Sequence, residues 1–290
     1  MGLPLMYVLN CNLTCISLTE VAQLQSYTPT DLPHIWWCPT GPLTFLPIHA
    51  AGLYDQSFPG PNILDFAVSS YTPTVTTLLE ALQKNPIVYK GLLGVSQSCT
   101  PGQSRLPNAD KELDLIKQFG SSLDIHSLQG ELATVECVLE GMKKRSWVHL
   151  ACHAVQHPSS PAESAFCLHN GNLTLSKIMT KSFDNADFAF LSACQTATGD
   201  KNLPDEAVHL AAGMLAAGYQ SVIATMWSIG DNDAPLIADE VYSHLRCGAG
   251  PNSTMAAHAL HHAVKKLRKK LEKAGSPAFL SWVPFIHVGK

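Results

Sequence analysis

Two stretches of this chain place a cysteine and a histidine where they could do chemistry. In "DNADFAFLSACQTATGD", Asp184 to Asp200, an apolar run from Phe188 to Leu191 breaks into small polar residues and delivers Cys194 at the break. "SWVHLACHA" is a second short apolar run, and it ends on His153. A thiol beside an imidazole has a lowered pKa and yields a thiolate at neutral pH, the state in which sulfur attacks an acyl carbon. The common alternative for a free cysteine is a buried structural thiol. Neighbouring strands would decide between them. In doubly wound sheets reactive groups gather beyond the carboxyl ends of parallel strands, so adjacent runs would make His153 and Cys194 face one cleft within hydrogen-bonding reach. The intervening chain is long enough for a crossover connection.

Elements that could position such a pair are legible along the chain. Short apolar runs alternate with longer helical patterns, which predicts a mostly parallel sheet covered by helices on both faces. The expected strands are His34 to Cys38, Val88 to Val95, Trp147 to Ala151, Phe188 to Leu191, Ser221 to Met226 and Trp282 to Val288. A helix is expected from Asp205 to Ala217, stopped by Gly218, a residue suited to the left-handed turn that ends helices. Pro235 and Ser253 mark two further helix starts. No internal repeat or low-complexity segment interrupts the pattern.

Composition sets the outer bounds. With 290 residues, 46% hydrophobic and 14% charged, the chain can bury a large core, as one domain or as two packed halves. A net charge of -4 gives no general attraction to nucleic acid or to anionic membranes. Nine cysteines are an odd set without the spacing of a secreted disulfide framework, which points to a reducing compartment, the cytoplasm. The apolar opening "MGLPLMYVLNCNLTCISL" lacks a basic leader, and Asn10 and Asn12 interrupt it short of a membrane span. Residues 1–32 are left unassigned, as a helix or strand that packs on the domain.

The ordered segments "VHLACHA", "FLSACQTATGD" and "LAAGMLAAGYQSVIATMWSIGDND" resemble the successive motifs of the CHAT family, relatives of caspases and separases among the cysteine peptidases. "WWCPTGPLTFLPIHAAGLY", "SSYTPTVTTLLEAL", "LPNADKELDLI", "LQGELATVECVLEGM" and "WVPFIHVG" agree in order, so the resemblance covers about residues 33–290. It implies a caspase-like α/β sandwich and a cysteine endopeptidase acting on protein or peptide substrates through a His153–Cys194 dyad, without metal or cofactor. It also implies an oxyanion site made by the backbone amides of Cys194 and Ala154. The family usually has glycine after the histidine; Ala154 keeps the amide, and its methyl group matters only if the backbone there has positive φ. A catalytically silent scaffold of the same fold is the alternative. A regulatory repeat or sensor protein is the expected partner, since CHAT domains commonly lie behind such modules.

Asp231 matches the acidic position that follows the family's tryptophan motif, and an acidic pocket would favour Arg or Lys beside the scissile bond. Asp233 reads as a cap of the helix near Pro235, and Glu206 as a loop anchor or a first-turn residue. His149, Cys152, His153, His157, Cys167 and His169 are zinc-type ligands, but no C-x-x-C pair appears, and Cys152 should face away from His149 and His153. "KKLRKK", Lys265 to Lys270, reads as a solvated face late in a helix, and Trp36, Trp37 and Trp227 as core or interface residues.

Overall fold

A computed structural model describes residues 7–10, 32–54, 59–155, 157, 160–195, 206–227, 229, 232–248, 250–273 and 279–290. At 7–10, 59–61, 193–195, 206–209 and 273 the description is of the backbone alone. Among these residues the strands are β1 (Tyr7–Asn10), β2 (His34–Cys38), β3 (Gly52–Tyr54), β4 (Pro59–Asn62), β5 (Val68–Tyr71), β6 (Leu92–Ser96), β7 (Ile125–Gln129), β8 (Trp147–Val155), β9 (Ala165–Leu168), β10 (Gly171–Thr174), β11 (Phe188–Gln195), β12 (Ser221–Thr225) and β13 (Phe285–Gly289). The longer helices are α1 (Val75–Gln83), α2 (Pro107–Lys117), α3 (Val135–Lys144), α4 (Leu175–Met179), α5 (Glu206–Ala216), α6 (Ala234–Leu245) and α7 (Ala256–Lys273).

One large sheet runs in the order β1-β2-β5-β13-β12-β11-β8-β6-β7, with the β9-β10 hairpin added beside β8; β3 and β4 pair separately. Its pairings are parallel except for β12 with β13, β8 with β9 and β9 with β10. Both faces are covered. Val148, Leu150, Cys152, Ala189, Leu191 and Val222 pack against Val138 and Met142 of α3, Ile178 of α4 and Met214 of α5. Trp147, Phe188, Phe190 and Ile223 point the other way, against α6 and α7 through Ile237, Tyr242, Leu260 and Val264. A sheet buried on both faces needs apolar residues at successive positions, and this is why its strands read as unbroken apolar runs rather than alternating ones.

Several boundaries differ from the sequence-based expectation for local reasons. The run at Val88 enters the sheet only at Leu92: Val88 is 76% exposed, and Gly91, at φ 88°, turns the chain into the ladder. Trp282 ends a short helical turn, Phe279–Trp282, so the last strand starts at Phe285. β8 and β11 run on to Val155 and Gln195, beyond their apolar stretches, because partner strands satisfy the backbone there. β1 adds to the sheet beside β2, in parallel register. In the last turns of α7, Lys266 pairs with Glu240 and Arg268 with Glu272 and Asp65. Trp37 is fully buried, and Trp36 donates its indole N–H to the Gly289 carbonyl at 2.9 Å.

Candidate active site

β8 and β11 are neighbouring parallel strands, and their register sets Cys194 directly beside His153. Residues paired in register occupy the same face of a sheet, so the two share the face that carries His149 and Phe190. Cys152, one residue off in phase, packs in the core of the opposite face. The thiol of Cys194 lies outside the described atoms, whereas His153 is described in full and is 2% exposed.

The imidazole of His153 is held at one end. Its Nε2 lies 2.7 Å from the backbone oxygen of Ser104, and a carbonyl can only accept, so Nε2 carries the proton. Nδ1 is then the ring's proton-accepting nitrogen; it is buried and has no hydrogen-bond partner among the described residues. Ser104 belongs to the connection between β6 and α2, and the local topology explains its position. β6 pairs with β8 only as far as Ser96 and Ala151, the ladder is continued once by the Gln97 amide on the Ala151 carbonyl at 2.9 Å, and β9 takes over opposite His153. The chain leaving β6 therefore passes over the carboxyl end of β8 just where His153 stands. This is the crevice that the strand ends of an open parallel sheet provide.

Ala154 follows in β8, in register with Phe166 of β9 on one side and Gln195 of β11 on the other, and is 1% exposed. Among the described residues the one non-glycine with positive φ is Asp124, so Ala154 stands in backbone that alanine adopts without strain. Asp231 lies outside the described residues. Asp233 occupies the N-cap position of α6, as the sequence predicts, but its side chain makes no capping hydrogen bond. Glu206 is the first residue of α5, and its side chain is outside the description.

The other thiols divide by burial. Cys152 and Cys167 are buried, and desolvation raises the Cys167 pKa, which makes it a poor nucleophile. Cys137, on α3, is exposed, as are Cys99 and Cys247. No group of three or more His, Cys, Asp or Glu side chains among the described residues is arranged to hold a metal ion. Among the described residues no helix is long and apolar enough to cross a membrane.

Sequence reasoning missed one polar group. Glu112 of α2 is 2% exposed and accepts from Ser192 Oγ of β11 at 2.8 Å. Its other oxygen lies 3.3 Å from His149 Nε2 of β8 but is not aligned as a hydrogen bond. His149 Nδ1 lies 3.2 Å from the Tyr242 hydroxyl, whose pKa is raised by burial and by the Glu112 charge. The only signal in the sequence was a serine two residues before the cysteine and a histidine four before the histidine.

Comparison with known proteins sets this geometry in context. The family model for the CHAT domain matches residues 14–290. The chain belongs to the CHAT domain family. No curated protein sequence matches this CHAT domain. Among solved structures it is similar to the complex of Porphyromonas gingivalis RgpB pro- and mature domains, at 15% identity and a TM-score of 0.53, covering 95% of this chain and 69% of that one. The Arg-specific cysteine proteinase gingipain R is similar at 14% identity and a TM-score of 0.55, with 95% and 68% covered. Separase in the Saccharomyces cerevisiae separase–securin complex is similar at 13% identity and a TM-score of 0.58, where 93% of the CHAT domain spans 16% of the separase chain. The CHAT domain thus has the α/β fold of the caspase-like cysteine peptidases, with a mostly parallel central sheet between helices.

Proposed function

We propose that this CHAT domain is a cysteine endopeptidase in which His153 and Cys194 form the catalytic dyad. The observation that carries the reading is the β8–β11 register, which sets the two residues side by side at the carboxyl ends of parallel strands. Nε2–H of His153 stays on the Ser104 carbonyl, and Nδ1 takes the thiol proton. The thiolate adds to the carbonyl carbon of the scissile peptide bond, and the π electrons move onto oxygen. When the C–N bond breaks, Nδ1 returns the proton to the departing amine. Water, deprotonated by the same nitrogen, then cleaves the thioester and regenerates the thiol. Each step moves one proton through one imidazole, and no cofactor or metal takes part.

The amide of Cys194 and that of Ala154 are assigned to the oxyanion, a contribution worth about 10²–10³ in rate per donor in other enzymes. Ala154 now stands in ladder register with both neighbours, so its role requires the end of β8 to shift against β9 or β11 when substrate binds. The unstrained backbone at Ala154 removes the steric reason for reading the chain as a silent scaffold. A reducing compartment such as the cytoplasm would keep Cys194 a thiol. Protein substrates and a regulatory repeat or sensor protein are the partners this reading names; the separase relative was solved with a protein bound, securin.

The test is covalent capture. An electrophilic peptide probe is expected to label Cys194 in folded protein well before the exposed Cys99, Cys137 and Cys247, as read by peptide mass spectrometry. Labelling that merely follows exposure, with Cys194 unmodified, would sink the dyad.

Substrate choice is assigned to Asp231. If Asp231 reaches the cleft beside Cys194, its carboxylate favours a cation and gives little compensation for burying a neutral side chain; if it caps backbone amides instead, no such preference follows. The similar gingipain is an Arg-specific proteinase. A peptide library is expected to show cleavage after Arg or Lys, and Asp231→Asn to lose that preference. Selection of acidic or apolar residues, or an unchanged basic preference in the variant, counts against Asp231 alone.

A further inference from the structure

We infer that Glu112 and Ser192 are positioning residues that hold Cys194 against His153 from beneath, an inference that rests on the dyad reading above. One carboxylate reaches both strands of the pair. Glu112 accepts from Ser192 Oγ of β11 at 2.8 Å and lies 3.3 Å from His149 Nε2 of β8. Ser192 is two residues before Cys194, and His149 four before His153, so all four share one sheet face. Behind them His149 meets the Tyr242 hydroxyl at 3.2 Å, and Phe190 stacks on the Tyr242 ring with centroids 5.9 Å apart.

The connection leading into the same helix holds the other side of the dyad. α2 starts at Pro107, three residues after the carbonyl that holds His153 Nε2, and Glu112 lies in its second turn. α2 thus holds the strand of Cys194 through Ser192, and the connection leading into α2 holds the ring of His153 through the Ser104 carbonyl. Neither Glu112 nor Ser192 is hydrogen-bonded to the His153 ring. An apolar side chain could anchor α2 to the sheet without burying a carboxylate, which is costly unless it is hydrogen-bonded and paired. What an apolar contact lacks is direction. A hydrogen bond of fixed length sets where Ser192, and with it the end of β11, stands against α2, and misplacement by about 1 Å can cost on the order of 10²-fold in a reaction between positioned groups.

The experiment follows Cys194 alkylation by iodoacetamide in the full chain against pH, quantified by peptide mass spectrometry, with thermal melts alongside. The wild type should give a midpoint well below the ordinary thiol value of about 8.5. Ser192→Ala should raise that midpoint by about one pH unit and slow alkylation at neutral pH about tenfold, a displaced dyad stabilising the thiolate less. Glu112→Ala should do the same. Glu112→Gln, which can still accept from Ser192, should restore most of the wild-type profile. If Glu112→Ala does not fold, Ser192→Ala, the loss of one hydroxyl, decides alone. A role confined to stability would lower the melting temperature and leave the midpoint where it was, which overturns the inference. An ordinary midpoint in the wild type would overturn the dyad reading and this inference together, whereas a low wild-type midpoint shared by the variants overturns positioning alone.

Discussion

Cys194→Ala is expected to abolish peptide cleavage and covalent capture by an electrophilic probe, and His153→Ala to lower kcat by about 10²–10⁴. The unequal losses follow from the two roles. Without the thiol there is no nucleophile and no acyl-enzyme. Without the imidazole a fraction of the thiol still ionises at neutral pH, but nothing beside it protonates the departing amine. Neither effect should come from unfolding. Cys194 stands at the carboxyl end of its strand, and Ser104, which would lose its partner in His153→Ala, is exposed, so water can replace the ring at its carbonyl. His153 is 2% exposed, so removal of its ring leaves a cavity and His153→Ala should melt below the wild type, and both rates are to be read at temperatures where the melts show the variants folded. Cleavage by Cys194→Ala at anything near the wild-type rate would refute the mechanism, and an undiminished His153→Ala would remove the histidine from it.

Acidification is expected to unfold the protein well before ordinary carboxylate titration. His49 and His287 are buried and His34 and His261 half-buried, all held neutral, where β2, β5, β13 and α7 meet. Ser70 Oγ lies 2.6 Å from His34 Nε2 and 2.6 Å from His287 Nδ1, and His287 Nε2 lies 2.7 Å from Ser221 Oγ. His49 sits between the Tyr71 hydroxyl at 2.7 Å and the Val283 carbonyl at 2.9 Å. Burial, reinforced by the neighbouring His258, lowers the His287 pKa to about 3. Burial lowers His49 to about 4 against the opposing hydrogen bond to Val283. His34 falls to about 2, through burial and then the charges of His287, His258 and His261, and His261 to about 4, through burial and then Lys265 and His258.

The sign of the effect is unambiguous. Below the ordinary histidine value of about 6.5 the unfolded chain takes up protons that the folded chain refuses, so stability is lost as pH falls. At pH 5 each such group costs about 2 kcal/mol, and His49 and His287 alone about 4 kcal/mol, a large share of the 5–15 kcal/mol that typically holds a domain folded. Urea midpoints should be level above pH 7 and fall steeply from about pH 6.5 to 5. A level profile across that interval would show that these histidines are not held neutral by the fold.

What the sequence determined by itself is the local part of this picture. Apolar runs without alternation marked β8, β11 and β12 as strands buried on both faces, and Gly218 after "LAAGMLAA" marked the end of α5. His153 and Cys194 stood out because a reactive side chain at the end of such a run reaches the rim of a sheet. Short or weakly patterned elements were lost: β7, "IHSLQ", has one buried residue, and β9 and β10 are four residues each, too short for a period to show. Only the tertiary structure decided strand order, and with it the pairing of Cys194 with His153, because nothing in one strand's sequence names its neighbour. The Ser104 carbonyl on His153 was beyond any reading of side chains, since every residue has that group and only the path of the chain brings this one to the ring. Glu112 was hidden for a related reason: a carboxylate on a helix reads as solvent-facing, and it becomes a buried clamp only where Ser192 and His149, distant in sequence, meet it on the same face of the sheet.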